Sequence, residues 1–210
     1  MKPVGILRFL GTNCDADVVA ACDLLKLPNK YVWWADRFNF NEYSSFILPG
    51  GFSYGDYLRA GAMAAQSPAM DDVRAAALQG YPILGICNGF QILCEAGLLP
   101  GVLTKNTSQK FQEEWVEIER PGSGKFWRLP IAHSMGRYFA PEDQLQSLFD
   151  QNQVWLQYKS NPNGSLRDIA GITNEMGNVY ALMPHPERAM TKWMGSEDGR
   201  SILEVISHGH

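Results

Sequence analysis

The sequence predicts an α/β fold with an open mixed sheet, mostly parallel, that is flanked by helices. Short β-prone runs alternate with helical segments through the first half of the chain, an order typical of parallel strands joined by helices. The chain has 210 residues, 45% of them hydrophobic, which suits one domain with a sizeable core. Because no linker or internal repeat divides the sequence, we expect a single domain over residues 1–210.

Local patterns predict each element of the first half. The apolar run Val4 to Leu10 ends at the turn Gly11-Thr12-Asn13, after which Asp15 is expected to cap a helix. Further strands are expected at Tyr31 to Trp34, Ser45 to Leu48 and Pro82 to Ile86, and helices at Met70 to Gln79 and Phe90 to Ala96. Loops at such strand ends are where α/β folds place their sites.

The second half is richer in strands, which we expect to be antiparallel or edge strands. Its β-like segments are Trp115 to Ile118, Leu129 to Ala132, Val154 to Tyr158 and Val179 to Met183, and its helices Pro141 to Asp150 and Arg200 to Ser207. Gly122-Ser123-Gly124-Lys125 lacks the upstream glycine and the Ser or Thr of a phosphate-binding loop. It is interpreted as a hairpin turn, so the chain has no ATP site of its own.

Charge and composition narrow the classes of function. With 18 Lys and Arg against 22 Asp and Glu, the net charge of −4 argues against a nucleic-acid or membrane-surface partner. No apolar run approaches the roughly 20 residues of a membrane span, and the N-terminus lacks the apolar core of a signal peptide. The four cysteines form no Cys-x-x-Cys pair, which predicts reduced thiols and no zinc site. We therefore expect a cytoplasmic protein.

A candidate nucleophile lies in Gly85-Ile86-Cys87-Asn88-Gly89, where an apolar strand meets a helix. Small residues on both sides of Cys87 permit the sharp turn of a nucleophile elbow, which exposes the thiol beside a helix N-terminus that favours the thiolate. A buried structural cysteine between two ordinary glycines is the alternative.

The candidate base is His185, in Pro184-His185-Pro186-Glu187 at the end of another predicted strand. Glu187 can hold the imidazole tautomer and stabilise the imidazolium, so that Cys87, His185 and Glu187 form a triad. A loop hydrogen bond unrelated to Cys87 is the alternative. His133, His185 and Glu187 lack metal-ligand spacing, so no metal is expected.

Two backbone N–H groups are expected to stabilise an oxyanion on the attacked carbonyl. One is that of Asn88, which follows the nucleophile, and the other comes from Pro49-Gly50-Gly51, where glycine allows close approach. A plain turn is the alternative for this Pro-Gly-Gly sequence.

Taken together, these motifs resemble the class I (triad) glutamine amidotransferase family, over the whole chain and in the expected order. The segments that carry the resemblance are Gly11 to Asp15, Leu48 to Ala62, Gly85 to Gln91, Leu129 to His133 and Pro184 to Glu187. It implies a flavodoxin-like fold and glutamine hydrolysis through a γ-glutamyl thioester on Cys87. It also implies oxyanion donors at Gly51 and Asn88, and substrate contacts at Gly50, Gln91, His133 and Ser134.

The resemblance also implies partner proteins, and the sequence differs from the family pattern in one segment. Phe52 to Ala62 and Asn88-Gly89-Phe90 resemble glutaminase subunits of purine biosynthesis. Such subunits bind L-glutamine, carry no cofactor, and pass ammonia to a separate synthetase subunit that uses ATP and Mg, often with a small bridging subunit. The family pattern His-Gly-Glu-Gly-Arg is replaced here by His133-Ser134-Met135-Gly136-Arg137, which puts contacts of the missing carboxylate in doubt.

Several alternatives stay open at this point. The chain could be a stand-alone cysteine hydrolase of γ-glutamyl substrates, or a catalytically silent regulatory subunit. Cys14, Cys22 and Cys94 are interpreted as packing residues. Asp56 and Arg59 could mark an ammonia exit, a partner contact or a solvated loop salt bridge. His208 and His210 are interpreted as a frayed terminus.

Overall fold

The fold is known from a computed structural model that describes residues 1–206. Its strands are β1 (Val4–Arg8), β2 (Asn29–Trp33), β3 (Ser45–Leu48), β4 (Ile83–Ile86), β5 (Val102–Thr104), β6 (Gln112–Glu119), β7 (Phe126–His133), β8 (Arg137–Phe139), β9 (Val154–Tyr158), β10 (Ile169–Thr173) and β11 (Val179–Leu182). Its α-helices are α1 (Asp15–Leu24), α2 (Pro68–Leu78), α3 (Asn88–Glu95), α4 (Glu142–Asp150) and α5 (Gly199–Leu203).

A nine-stranded sheet with the order β2-β1-β3-β4-β11-β10-β9-β6-β7 organises the described chain. The strands from β2 to β11 in this order are all parallel, and those from β10 to β7 pair antiparallel. The predicted α/β class with a mixed sheet is confirmed. The parallel half supplies the strand ends at which sites form in such folds.

Strand β11 corrects the expectation that the second half adds only antiparallel or edge strands. It lies in the middle of the sheet and pairs in parallel with β4, with Leu182 opposite Ile86. This position is reached because the chain first forms the antiparallel strands and then returns to the centre. The ends of β4 and β11 therefore lie side by side.

Most predicted elements occur with small shifts in their ends. The prediction that Asp15 caps α1 is wrong, because Cys14 occupies the cap position. The Asp15 carboxylate instead forms an ion pair with Arg8 Nε at 2.9 Å. Strands β5, β8 and β10 were not predicted. The expected terminal helix is shorter and continues as a 3₁₀ turn over Glu204–Ile206. Ser207, His208 and His210 lie outside the described residues.

The hairpin interpretation of Gly122 to Lys125 is confirmed. This segment joins β6 to β7, and the Arg120 N–H donates to the Lys125 carbonyl at 3.2 Å. None of the helices in residues 1–206 is long and apolar enough to cross a membrane.

One hydrophobic core runs through both halves of the sheet, including residues such as Ile6, Phe46, Phe90, Leu156 and Ile172. Cys22 and Cys94 belong to it, as predicted. Burial raises the pKa of Cys22 to about 12 and raises that of Cys94 further, so both thiols stay protonated and inert.

Helix α3 packs on β3 and β4 with no space for side-chain atoms at two glycines. A Cβ at Gly89 would lie 2.0 Å from the Leu48 carbonyl oxygen, and one at Gly85 would lie 2.7 Å from the Gly89 carbonyl oxygen. The nearest obstacle at Gly89 is a backbone atom, which cannot rotate aside, and at Gly85 the Leu93 side chain adds to the backbone contact. This contact fixes the start of α3 against the ends of β3 and β4.

We predict that Gly89→Ala destabilises the protein by at least about 2 kcal/mol, even though alanine favours a helix interior, because overpacking moves α3 away from β3. Urea unfolding measures the change. Gly80→Ala is the control: nothing lies within 4 Å of its Cβ position, and only its φ of +82° opposes alanine, at about 1 kcal/mol. A Gly89→Ala protein as stable as the parent would contradict the proposed close contact.

Candidate active site

Four turns that follow parallel strands meet at one edge of the sheet. They follow β1, β3, β4 and β11, and they contain Cys14, Gly50, Cys87 and His185 respectively. Gly50 lies at the centre, since a Cβ there would be 2.8 Å from His185 Cε1, 3.0 Å from Cys14 Sγ and 3.4 Å from Cys87 Cβ. Residues far apart in sequence thus converge on a position that only glycine fits.

Cys87 has a backbone conformation that L-residues rarely adopt, with φ +51° and ψ −104°. It stands between the end of β4 and the first residue of α3, and its N–H donates to the Leu182 carbonyl of β11 at 2.8 Å. Strain of this kind persists only where the surrounding structure imposes it, and it is common at active sites. The backbone has the form predicted for a nucleophile elbow, but the thiol is buried rather than exposed as expected.

His185 and Glu187 form a buried pair beside Cys87. His185 Nδ1 lies 2.7 Å from Glu187 Oε1, and the backbone N–H of His185 donates to the Pro130 carbonyl at 2.8 Å. Burial alone would lower the pKa of His185, but the Glu187 carboxylate, with Cys87 and Cys14 nearby, raises it well above its usual value. The imidazole is therefore a strong proton acceptor that interacts with the neighbouring thiols of Cys87 and Cys14.

Gly51 and Asn88, the predicted oxyanion donors, both lie next to Cys87. Gly51 has φ +150° and forms an isolated β-bridge with Thr12. Its backbone N–H donates to no backbone carbonyl in the described chain. A Cβ at Gly51 would lie 2.7 Å from the Gly11 carbonyl oxygen. Asn88 is the first residue of α3, so its N–H lies at the positive end of the helix.

Gln91, His133 and Ser134 line a small cavity of about 10 Å³ next to Cys87, together with Gly51, Phe52, Asp56, Ala132 and Met135. Gln91 accepts a hydrogen bond from Asn88 Nδ2 at 2.7 Å and donates from Nε2 to the Met135 carbonyl at 2.6 Å. Burial and the neighbouring His185 lower the pKa of His133 to about 4, so this imidazole is neutral at pH 7.

The departure at Ser134-Met135 leaves these contacts in place. Gln91 binds the Met135 main chain, which does not depend on the side chain at that position. Asn106 fixes the rest of the segment, because its Oδ1 accepts from the Gly136 N–H at 3.1 Å and its Nδ2 donates to the His133 carbonyl at 2.9 Å.

A larger cavity of about 230 Å³ also borders Cys87. It is lined by Asn13, Cys14, Gly51, Phe52, Cys87, Phe111, Glu113, Ala132, His185 and Arg188. His185 lines this larger cavity, whereas Gln91 and His133 line the smaller one. Cys87 lines both cavities, and the other residues that line them give the two spaces different chemistry.

The sequence interpretation missed the position of Cys14 and Arg188. Cys14 is buried as expected, but its Sγ accepts a hydrogen bond from Arg188 Nη2 at 3.3 Å and faces the site. Arg188 also donates from Nε to Asp17 at 3.0 Å. A signal for Cys14 exists in the sequence, because it follows the first strand of a parallel sheet, whose end adjoins that of β3.

One group of side chains in residues 1–206 has the spacing of metal ligands. Cys14 Sγ, a His185 nitrogen and a Glu187 oxygen lie within 4.8 Å of one another. The Arg188 guanidinium on Cys14 opposes a second cation there, and His185 Nδ1 is already bonded to Glu187.

The loop after Gly51 contacts α3 at two points. The Ser53 N–H donates to Asn88 Oδ1 at 3.2 Å, and Arg59 forms a two-point ion pair with Glu95 at 2.8 and 2.6 Å. The salt bridge of Arg59 therefore joins the loop to α3 and does not include Asp56. Asp56 instead lines the small cavity.

Comparisons with known proteins agree with this geometry. Residues 2–202 match the CobB/CobQ-like glutamine amidotransferase domain. The chain is 47% identical over 214 residues to phosphoribosylformylglycinamidine synthase subunit PurQ of Methanothermobacter thermautotrophicus, covering 97% of each chain. It is 44% identical over 224 residues to the same subunit of Methanosarcina acetivorans, covering 97% of this chain and 96% of that one. A chain of the PurLQS structure from Thermotoga maritima is 42% identical, with a TM-score of 0.87 and coverage of 99% and 98%.

We predict that Glu187→Gln slows alkylation of Cys87 by iodoacetamide at pH 7 by at least about tenfold. Removing the carboxylate lowers the pKa of His185, so the imidazole takes the thiol proton less readily and the onset of alkylation moves to higher pH. Peptide mapping of a pH series measures the rate at Cys87. Glu175→Gln, at an exposed position, is the control and should match the parent. Equal rates for Glu187→Gln and the parent would exclude this coupling.

Proposed function

Because the chain belongs to the CobB/CobQ-like glutamine amidotransferase family, we propose that it is the glutaminase subunit of phosphoribosylformylglycinamidine synthase. The full-length relatives named as this subunit support the assignment. The observation that carries the chemistry is the buried His185–Glu187 pair beside a cysteine in a strained elbow. We assign the amidotransferase domain to residues 1–210.

In the first half of the reaction, the Cys87 thiol transfers its proton to His185 Nε2 and the thiolate attacks the carboxamide carbon of glutamine. The oxyanion that forms accepts hydrogen bonds from the N–H groups of Gly51 and Asn88, each worth about 3 kcal/mol in the transition state. His185 then protonates the leaving nitrogen, the C–N bond breaks, and ammonia departs from a γ-glutamyl thioester. Glu187 stabilises the imidazolium throughout.

In the second half, water attacks the thioester while His185 accepts its proton. The C–S bond breaks, glutamate leaves, and the proton returns from His185 to the Cys87 sulfur. The larger cavity, which His185 lines, offers room for this water and for the departing ammonia. Gly50, Gln91, His133 and Ser134 bind and orient glutamine in this proposal.

The ammonia serves a separate synthetase subunit, which uses ATP and Mg to convert formylglycinamide ribonucleotide to formylglycinamidine ribonucleotide, in the cytoplasm and with a small bridging subunit. This chain contributes no cofactor to that step. The loop after Gly51 can link binding of the synthetase to a change at the active site. Tyr57 is 74% exposed and Leu58 87% exposed, while Asp56 of the same loop lines the small cavity. That cavity has room for about one water molecule, so glutamine entry requires movement.

We predict weak glutaminase activity for the purified chain and a rise of at least about tenfold on adding the synthetase loaded with ATP and formylglycinamide ribonucleotide, because docking opens the site. Cys87→Ala should abolish the activity in both conditions. Ammonia release measured by a coupled assay reports both effects.

The assay also distinguishes the other two candidates. Strong hydrolysis that is independent of the synthetase would identify a stand-alone hydrolase, and no hydrolysis in either condition would identify a silent regulatory subunit. Turnover retained by Cys87→Ala would contradict the assignment of the nucleophile.

A further inference from the structure

The glutamine carboxamide has one orientation that satisfies the groups around Cys87. Its leaving nitrogen must face His185, which lines the larger cavity, while its oxygen faces the N–H groups of Gly51 and Asn88. We place the carbon chain toward the smaller cavity beside Gln91, because His185 is not among the residues that line it. The amino-acid end of the substrate therefore belongs on the side of the smaller cavity.

Asp56 is the one acidic side chain among the residues that line this smaller cavity. The only other ionisable groups there are His133, whose imidazole is neutral at pH 7, and the Cys87 thiol. The small cavity is thus negatively charged, so of the two charged groups at the amino-acid end it suits the ammonium rather than the carboxylate.

The Asp56 carboxylate has no partner within residues 1–206. Its Oδ1 is buried without a hydrogen bond, and no Lys, Arg or His of the described chain pairs with it, because the nearby Arg59 is engaged by Glu95. Burial raises the pKa of Asp56, as expected for a carboxylate that has lost water without gaining a cation. A buried acceptor of this kind is costly until a donor reaches it.

The backbone holds Asp56 in a defined place. Tyr54 and Asp56 have φ of +53° and +56°, and the Tyr54 N–H donates to the Leu10 carbonyl at 2.6 Å. Aspartate is among the few residues that adopt this region readily. A carboxylate presented by a constrained loop loses little freedom when it binds a ligand.

We propose that the Asp56 carboxylate binds the α-ammonium group of glutamine and so selects free α-amino acids as substrates. This inference rests on the glutaminase function proposed above. Asp56 would contact the amino-acid end while Cys87 reacts with the carboxamide end.

The test compares glutamine with glutaramate, which is glutamine without its α-amino group, in the complex with the loaded synthetase. We expect the parent chain to prefer glutamine in kcat/KM by about a hundredfold. In Asp56→Asn, kcat/KM for glutamine should fall by a similar factor, mainly through KM, while the value for glutaramate stays within about twofold. Asp143→Asn, at an exposed position in α4, should match the parent on both substrates.

Iodoacetamide labelling of Cys87 checks that each variant keeps its site, and Asp56→Ser replaces Asp56→Asn if the latter does not fold. Equal losses on glutamine and glutaramate, or no loss on glutamine, would overturn the role of Asp56. A parent chain that hydrolyses neither substrate would instead overturn the proposed function.

Discussion

The strained backbone at Cys87 is the constraint on which the site depends. A cysteine with φ +51° is stable only because the strand before it and the helix after it are both held in place. Gly89 brings α3 into contact with β3, and the Leu182 carbonyl of β11 fixes the Cys87 N–H. The sheet therefore determines where the thiol points, and the thiol in turn determines what the surrounding loops can do.

Because the central strands are parallel, a few residues at neighbouring strand ends are enough to form the candidate active site. Neighbouring strand ends place a thiol, an imidazole and a glycine loop at one edge, and each is fixed by backbone contacts of its own. The His185–Glu187 pair is buried, so the carboxylate acts on the imidazole with little screening by water. Cys14 and Arg188 add a second thiol and a fixed positive charge to the same edge.

Local sequence features predicted the fold class, most strands of the parallel half and the elbow, because glycines flanking Cys87 and the prolines flanking His185 restrict the backbone directly. Strand order was harder: Val179 to Met183 has the same local pattern as an edge strand, and only tertiary pairing places β11 beside β4. The same limit applied to Asp15, whose capping propensity was overridden by an ion pair with Arg8, and to Cys14, whose neighbours come from the other end of the chain.

Two buried thiols adjoin His185, and only Cys87 is the nucleophile in the proposed reaction. The most direct test treats the parent chain, in complex with the loaded synthetase, with the electrophilic glutamine analogue 6-diazo-5-oxo-L-norleucine and locates the adduct by peptide mapping. The strained elbow and its oxyanion donors predict one adduct, on Cys87, with excess glutamine protecting it. An adduct on Cys14, with Cys87 unmodified, would show that Cys87 is not the nucleophile.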